Sequence, residues 1–255
     1  MIDLHCHILY GVDDGAQTEQ EAVDMARAAV ASGITHILCT PHHNNGKYNN
    51  AKHTVISRVA KFQRLLDDQK IPLILYEGQE VRITGELLTE IKQDNILFVD
   101  IKNKYLLIEF PTIDVPKYTA QIFSSLLTQG ITPVIVHPER NAIFQSNPKY
   151  LTHFLDMGAL SQLTAPSYTG FFGKKVQKIS QLMVKHNLVH MVASDAHGVT
   201  KRPFFLKEAY EKIEQDFGSE KVQKFKQTAK DMVNGDICKV LPYTEPYKTI
   251  FGNFK

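Results

Sequence analysis

Histidines and carboxylates in this chain fall in short clusters whose residue types suit metal binding. His5 and His7 stand two apart near the start, with Asp13 and Asp14 close behind. At strand spacing such a pair sets both imidazoles on one face, a bidentate start for a first-row metal ion. The pattern recurs at Pro41-His42-His43, at Glu77 and Glu80, at Glu109, at His137-Pro-Glu-Arg140 and at Ser194-Asp195-Ala-His197. One HxH pair alone is more often structural, whereas a series of such clusters points to metal. Mixed imidazole and carboxylate donors without thiolate suit manganese, iron or zinc in hydrolysis, and about nine donors exceed what one ion needs. Two or three divalent ions are expected.

Donors so far apart in sequence need elements that gather them. Strand-like and helix-like runs alternate along the chain. Strands are expected at 1–7, 35–40, 71–76, 105–109, 131–136, 159–163 and 188–193. Helices are expected at 18–32, within 50–70, and at 85–93, 118–128, 148–157, 174–186, 204–217 and 219–233. Thr18 with Glu21 reads as a capping box for the first helix, and Gly33 suits its left-handed close. Strand-then-helix units with short connections predict a parallel sheet, closed into a barrel or open and doubly wound. No linker or repeat interrupts residues 1–255, which predicts one domain with a peripheral aromatic tail at 241–255 packed on it. In a barrel, chemistry gathers at the C-terminal ends of the strands. The donor clusters follow the predicted strands there, except the sixth, which ends in Gln162 and Thr164.

Composition narrows the function classes. Lys and Arg number 29 against 27 Asp and Glu, so bulk charge gives no reason to expect a nucleic-acid or membrane-surface partner. An anionic partner must be met locally. No apolar run approaches the roughly 18 residues a membrane span needs, and the first residues lack the pattern of a secretory signal. The three scattered cysteines argue against a disulfide framework and fit a reducing cytoplasm. They also argue against a cysteine-dependent phosphatase, because the residues six positions after them are Val12, Asn45 and Thr244 rather than arginine. Structural roles are expected for His36, His53, His153, His186 and His190, and a buried thiol for Cys6. His43 and Glu77 adjoin stronger candidates and are expected to orient them, with His43 also considered as a proton donor. Glu139 is expected to support an arginine or a ligand, and Lys174, Lys175 and Lys178 a solvated face.

The ordered motifs VDDGA (12–16), TPHHNNGKY (40–48), EGQEVRI (77–83), LIEFP (107–111), VIVHPERN (134–141), QLTAPSYTGFFGKK (162–175) and ASDAHGVTKRPF (193–204) carry a resemblance. Together they resemble the PHP (polymerase and histidinol phosphatase) superfamily and, within it, the bacterial capsular and exopolysaccharide tyrosine-protein phosphatases. The resemblance implies a distorted (β/α)7 TIM-like barrel holding three metals, usually manganese. It implies one ion on His5, His7, Glu80 and Asp195, a second on Asp14, His42 and His197, and a third on Glu80, Glu109 and His137. It also implies that Arg140 and Arg202 hold the phosphate, and that the substrate is a tyrosine-phosphorylated protein such as a bacterial tyrosine kinase. Metal coordination lowers the pKa of water, and a phenolate leaving group needs less proton donation than an alkoxide, so this set needs little else. A small-molecule phosphatase of the same superfamily, acting for example on histidinol phosphate, is the alternative within enzymes. A metal-stabilised kinase-binding module without catalysis is the alternative outside them. Tyr168 departs from the motif and is expected to reshape the mouth of the site.

Overall fold

A computed structural model describes residues 1–247. Phe251 and Phe254 of the expected tail lie outside the described residues. The chain alternates parallel strands and helices: β1 (Ile2–Cys6), α1 (Glu19–Ala31), β2 (His36–Cys39), β3 (His42–His43), α2 (Lys52–Asp68), β4 (Ile74–Glu77), β5 (Glu80–Arg82), α3 (Leu87–Lys92), β6 (Tyr105–Glu109), α4 (Thr119–Thr128), β7 (Thr132–Val136), α5 (Ala142–Ser146), α6 (Tyr150–Met157), β8 (Leu160–Thr164), α7 (Ala165–Thr169), α8 (Lys174–Lys185), β9 (Met191–Ala193), α9 (Leu206–Phe217) and α10 (Ser219–Val233). A 3₁₀ turn spans Pro138–Arg140.

The strands form two parallel sheets, ordered β1-β2-β4 and β3-β5-β6-β7-β8-β9. The expected strands at 35–40 and 71–76 correspond to β2 and β4, and sequence periodicity gives no sign of the short strands β3 and β5 that follow them. Pro41 has no N–H to give a ladder, and a Cβ at Gly78 would meet the Leu38 side chain at 2.7 Å, so each run breaks there. Hydrogen bonds carry the curl across both breaks, from Gly78 N to Cys39 O at 2.9 Å and from Glu80 N to Pro41 O at 3.2 Å. At the other end β1 meets β9: Asp195 N donates to His5 O at 2.8 Å and His7 N to Ala196 O at 2.9 Å. Buried Asp3 fastens the same seam, accepting from Ser194 N at 2.9 Å and from its hydroxyl at 2.5 Å. The result is an α/β fold around a curled parallel sheet.

Alternation on the strands builds the floor of the site. Tyr105, Leu107 and Glu109 share one face of β6, and Leu160 and Gln162 one face of β8. Leu4, Leu38, Leu107, Val134, Leu160 and Met191 pack with Ala229 and Met232 of α10 into one buried cluster beneath the polar residues. The first helix bears out half of its capping box. Thr18 Oγ1 accepts from Glu21 N at 3.2 Å, but Glu21 returns to Gln17 N at 2.7 Å rather than to Thr18. The chain beyond α10 packs back through Thr244 N to His186 O at 3.0 Å and a Lys149–Glu245 pair at 2.7 Å.

Candidate metal centre

His5 and His7 come from the end of β1, His42 from β3, Glu80 from β5, Glu109 from β6, His137 from just after β7, and Asp195 and His197 from just after β9. The loop after β1 adds Asp14, brought close because Gly15 lies against His7. A Cβ at Gly15 would fall 2.0 Å from His7 O, so only glycine fits. His137 (φ 38°) and Asp195 (φ 52°) both hold left-handed backbone, which non-glycine residues seldom adopt. Such strain gathers at functional sites.

The nitrogens and oxygens converge tightly. His5 Nε2 lies 3.3 Å from His7 Nε2, 3.4 Å from Glu80 Oε2 and 3.5 Å from Asp195 Oδ1. His7 Nε2 lies 3.3 Å from Glu80 Oε2 and 3.4 Å from Asp195 Oδ1. Four donors about 2.1 Å from one ion at tetrahedral angles would stand roughly 3.4 Å apart, so these spacings fit a metal of that bond length. A second group joins His7, Asp14, His42 and His197, with Asp14 Oδ1 3.3 Å from His42 Nε2 and 3.5 Å from His197 Nε2. Glu109 groups with His42 and Glu80, whereas His137 groups with His5 and Asp195 and reaches Glu80 Oε1 at 2.6 Å. Glu80 stands between the groups. Buried Glu80 Oε2 and His42 Nδ1 lie 2.8 Å apart, yet neither makes a hydrogen bond. Orphaned buried donors and acceptors are costly, and a cation would satisfy both.

The surroundings fix which atoms face inward. His5 Nδ1 lies 2.8 Å from Gln162 Oε1, His7 Nδ1 2.7 Å from Asp13 Oδ2, and His197 Nδ1 2.9 Å from Asp195 O. With Nδ1–H donating in each ring, the Nε2 lone pair is left for the cluster. Asp13 also accepts from Gly15 N and His42 N, which commits it to orienting and leaves Asp14 for the group. Gln162, at the end of the strand that carries no charged donor, is an orienting residue that residue type alone did not reveal. So is Arg82, whose Nη2 lies 2.9 Å from Glu109 Oε2.

Charge is distributed unevenly over these groups. Burial would raise the Asp195 carboxyl, but Arg140 and Arg202 hold it well below its usual range. Burial opposes charge on His42, yet the Glu80 carboxylate and Asp14 lift it to about 9. Burial, then the Glu80 charge, pushes Glu109 up to about 7. Burial, then the Arg140 charge, pushes His137 down to about 3, and burial with the His7 charge takes His197 to about 4. His137 and His197 as neutral imidazoles and Asp195 as a carboxylate are already in the forms that bind metal, whereas a cation would have to displace the proton held on His42.

Above the donors a cavity of about 270 Å³ is lined by Asp14, His42, Glu80, Glu109, His137, Arg140, Asp195 and Arg202 among others. Arg140 and Arg202 both donate to Asp195 Oδ2. Buried Glu139 accepts from Thr164 N at 3.1 Å and Ser167 Oγ at 2.7 Å, bracing the turn that carries Arg140.

Three expected roles fall elsewhere. His43 is buried on the far side of β3, 3.8 Å from Glu90 of α3, because adjacent strand residues face opposite ways. Glu77 is exposed at the end of β4. Tyr168 does not shape the mouth: it is fully buried, and its hydroxyl donates to Asp216 of α9 at 2.7 Å. Cys6, Cys39 and Cys238 are free thiols.

The chain belongs to the capsular polysaccharide synthesis family CpsB/CapC, whose model matches residues 1–234. It is 42% identical over 255 residues, the full length of both chains, to the tyrosine-protein phosphatase YwqE of Bacillus subtilis strain 168. It is 28% identical over 228 residues, covering 88% of this chain and 93% of the relative, to the tyrosine-protein phosphatase CpsB of Streptococcus pneumoniae. A solved structure from the work on YwqE of Bacillus subtilis and CpsB of Streptococcus pneumoniae, described as unique metal-dependent tyrosine phosphatases, superposes with a TM-score of 0.94. It is 41% identical and covers 97% of this chain and 100% of that one.

Proposed function

We propose that this chain is a metal-dependent phosphatase that hydrolyses phosphotyrosine on a protein, in the control of capsular or exopolysaccharide synthesis. The observation that carries the reading is the set of 3.3–3.5 Å spacings among His5, His7, Glu80 and Asp195, with two arginines at the rim of the same cavity. The family, and relatives named as tyrosine-protein phosphatases, support the substrate class. We read β2 with β3 and β4 with β5 as interrupted single strands, and the curled parallel sheet then supports a distorted (β/α)7 barrel in one domain with the site at the C-terminal strand ends.

His5, His7, Glu80 and Asp195 would hold one divalent ion and Asp14, His42 and His197 a second, with Glu80, Glu109 and His137 assigned to a third. Manganese is the favoured metal, with iron or zinc as alternatives. Such ions supply a nucleophile from water at neutral pH and positive charge for the phosphoryl group. The protein supplies the rest. Arg140 and Arg202 donate to non-bridging phosphoryl oxygens as planar forks, a geometry that lysine does not reproduce. Asp13 and Gln162 keep the His7 and His5 rings in the metal-binding tautomer. The leaving phenolate, with a pKa near 10, departs with little help from an acid, so none of the buried histidines need donate a proton. No helix among the described residues is long and apolar enough to cross a membrane, and the free thiols suit a cytoplasmic setting.

The test compares a tyrosine-phosphorylated kinase tail with histidinol phosphate on the manganese-loaded protein. Preference for the small molecule overturns the substrate assignment. Arg140→Ala should depress turnover with metal content intact, and unchanged turnover refutes its phosphate role.

A further inference from the structure

Phe172 sits where the two arginines converge. Its ring centroid lies 5.5 Å from the guanidinium carbon of Arg140 and 5.9 Å from that of Arg202, within cation–π range of both. No other aromatic ring among the described residues stands over either guanidinium. The remaining side-chain partners are of a different kind. Arg140 donates to Asp195 Oδ2, while Arg202 reaches Asp195 Oδ2 at 2.5 Å and His197 Nε2 at 3.0 Å. Both arginine Nε atoms are buried without a hydrogen-bond partner. Every polar side chain that grips the guanidiniums therefore belongs to the donor set assigned to metal. A carboxylate or imidazole drawn onto a cation is a weaker partner for an arginine, whereas a phenyl face does not compete for the cation.

The segment that carries Phe172 is built to hold still. It lies between α7 and α8 and is flanked by Gly170 (φ 95°) and Gly173 (φ 91°). Gly173 N donates to Gly170 O at 3.0 Å, and Phe171 N to Pro166 O at 3.0 Å. Phe171 packs on Phe205 at 5.3 Å between centroids and on Phe172 at 5.4 Å. Phe172 itself is half-buried.

We propose that Phe172 is a positioning residue that keeps Arg140 and Arg202 converged on the phosphoryl site when Asp195 and His197 are engaged by metal. The inference rests on the reading of these arginines as phosphate ligands. Its test is inorganic phosphate binding to the manganese-loaded protein by calorimetry, with metal content and thermal midpoint measured on the same samples. Phe172→Leu should weaken phosphate binding on the order of tenfold and raise KM for an aryl phosphate, with metal content unchanged. Phe172→Tyr, which keeps the aromatic face, should restore both to within about twofold. Phosphate binding by Phe172→Leu at the parent level, or by Phe172→Tyr no better than Phe172→Leu, overturns the proposal. Arg140→Ala separates the two layers. If Arg140→Ala loses phosphate while Phe172→Leu keeps it, only the role of Phe172 falls; if Arg140→Ala binds phosphate as the parent does, the arginine reading falls and the proposal with it.

Discussion

Replacing Asn141 by alanine should destabilise the protein by about 3 kcal/mol. Asn141 is nearly buried beside Arg140 and uses its amide in full. Its Oδ1 accepts from Ile143 N at 2.9 Å and Phe144 N at 3.2 Å, capping α5. Its Nδ2 donates to Pro111 O at 2.8 Å and Asp114 O at 2.9 Å, tying the loop that follows Glu109 to the turn that carries Arg140. Loss of the cap costs about 1 kcal/mol, Asp114 O left without its donor costs about 1 kcal/mol more, and Pro111 O, which keeps Asp114 N at 3.3 Å, loses a hydrogen bond of about 1 kcal/mol. For a chain of this size that lowers the thermal midpoint by roughly 6–12 °C. Asn141→Asp keeps the acceptor and the cap but cannot donate to the two carbonyls, so it should recover no more than about a third of the loss. Circular-dichroism melts of the metal-loaded parent and both variants measure this directly. A midpoint for Asn141→Ala within about 2 °C of the parent, or full recovery in Asn141→Asp, refutes the assigned double role.

Other outcomes follow from the same structure. His190 is buried with Nδ1 accepting from Ser161 N at 3.0 Å, while Lys221 and Lys224 of α10 line the adjoining cavity; burial, with the Lys221 charge added, pushes its pKa down to about 4. The unfolded chain takes up that proton near pH 6.5 and the folded one does not. The contribution is therefore complete above about 6.5 and is lost as pH falls toward 4, by about 2 kcal/mol between pH 7 and 5. Urea unfolding of the parent against His190→Asn should show that difference, and parallel pH curves would contradict it. Tyr168→Phe should cost about 1 kcal/mol through loss of the bond to Asp216 and leave turnover unchanged, because the ring faces away from the metal centre; a fall in kcat would return Tyr168 to the site. Chelation should abolish turnover and lower the thermal midpoint, since cations bound among Asp14, Glu80, Glu109 and Asp195 stabilise the folded chain alone, and added manganese should restore both. A midpoint indifferent to chelation would argue against cations among these donors.

The chemistry of the site was legible in residue types. His5-x-His7, Pro41-His42-His43, His137-Pro-Glu-Arg140 and Asp195-Ala-His197 announced donors and arginines at strand ends, because strand alternation and breaking residues are local properties. The same locality let β6 be read at its observed bounds and α1 to within a residue of each end. It missed β3 and β5 beyond Pro41 and Gly78, since strands of two and three residues are too short to show a period.

Partnership is a different kind of fact. Which carboxylate orients and which joins the donors at Asp13-Asp14 depends on where His7 Nδ1 and Gly15 lie, and the sequence treats the two alike. Gln162, Arg82 and Phe172 are ordinary residues until the sheet curls and brings them to His5, Glu109 and the two arginines. His43 and Tyr168 show the reverse, adjoining the site in sequence and facing away from it in space. By itself the sequence determined which donors exist and at which ends of the elements they fall, because periodicity and residue chemistry act over a few positions. Only the tertiary structure decided which of them meet, because that rests on register between strands up to 190 residues apart, as at Cys6 and Ala196, and on the left-handed backbone at His137 and Asp195.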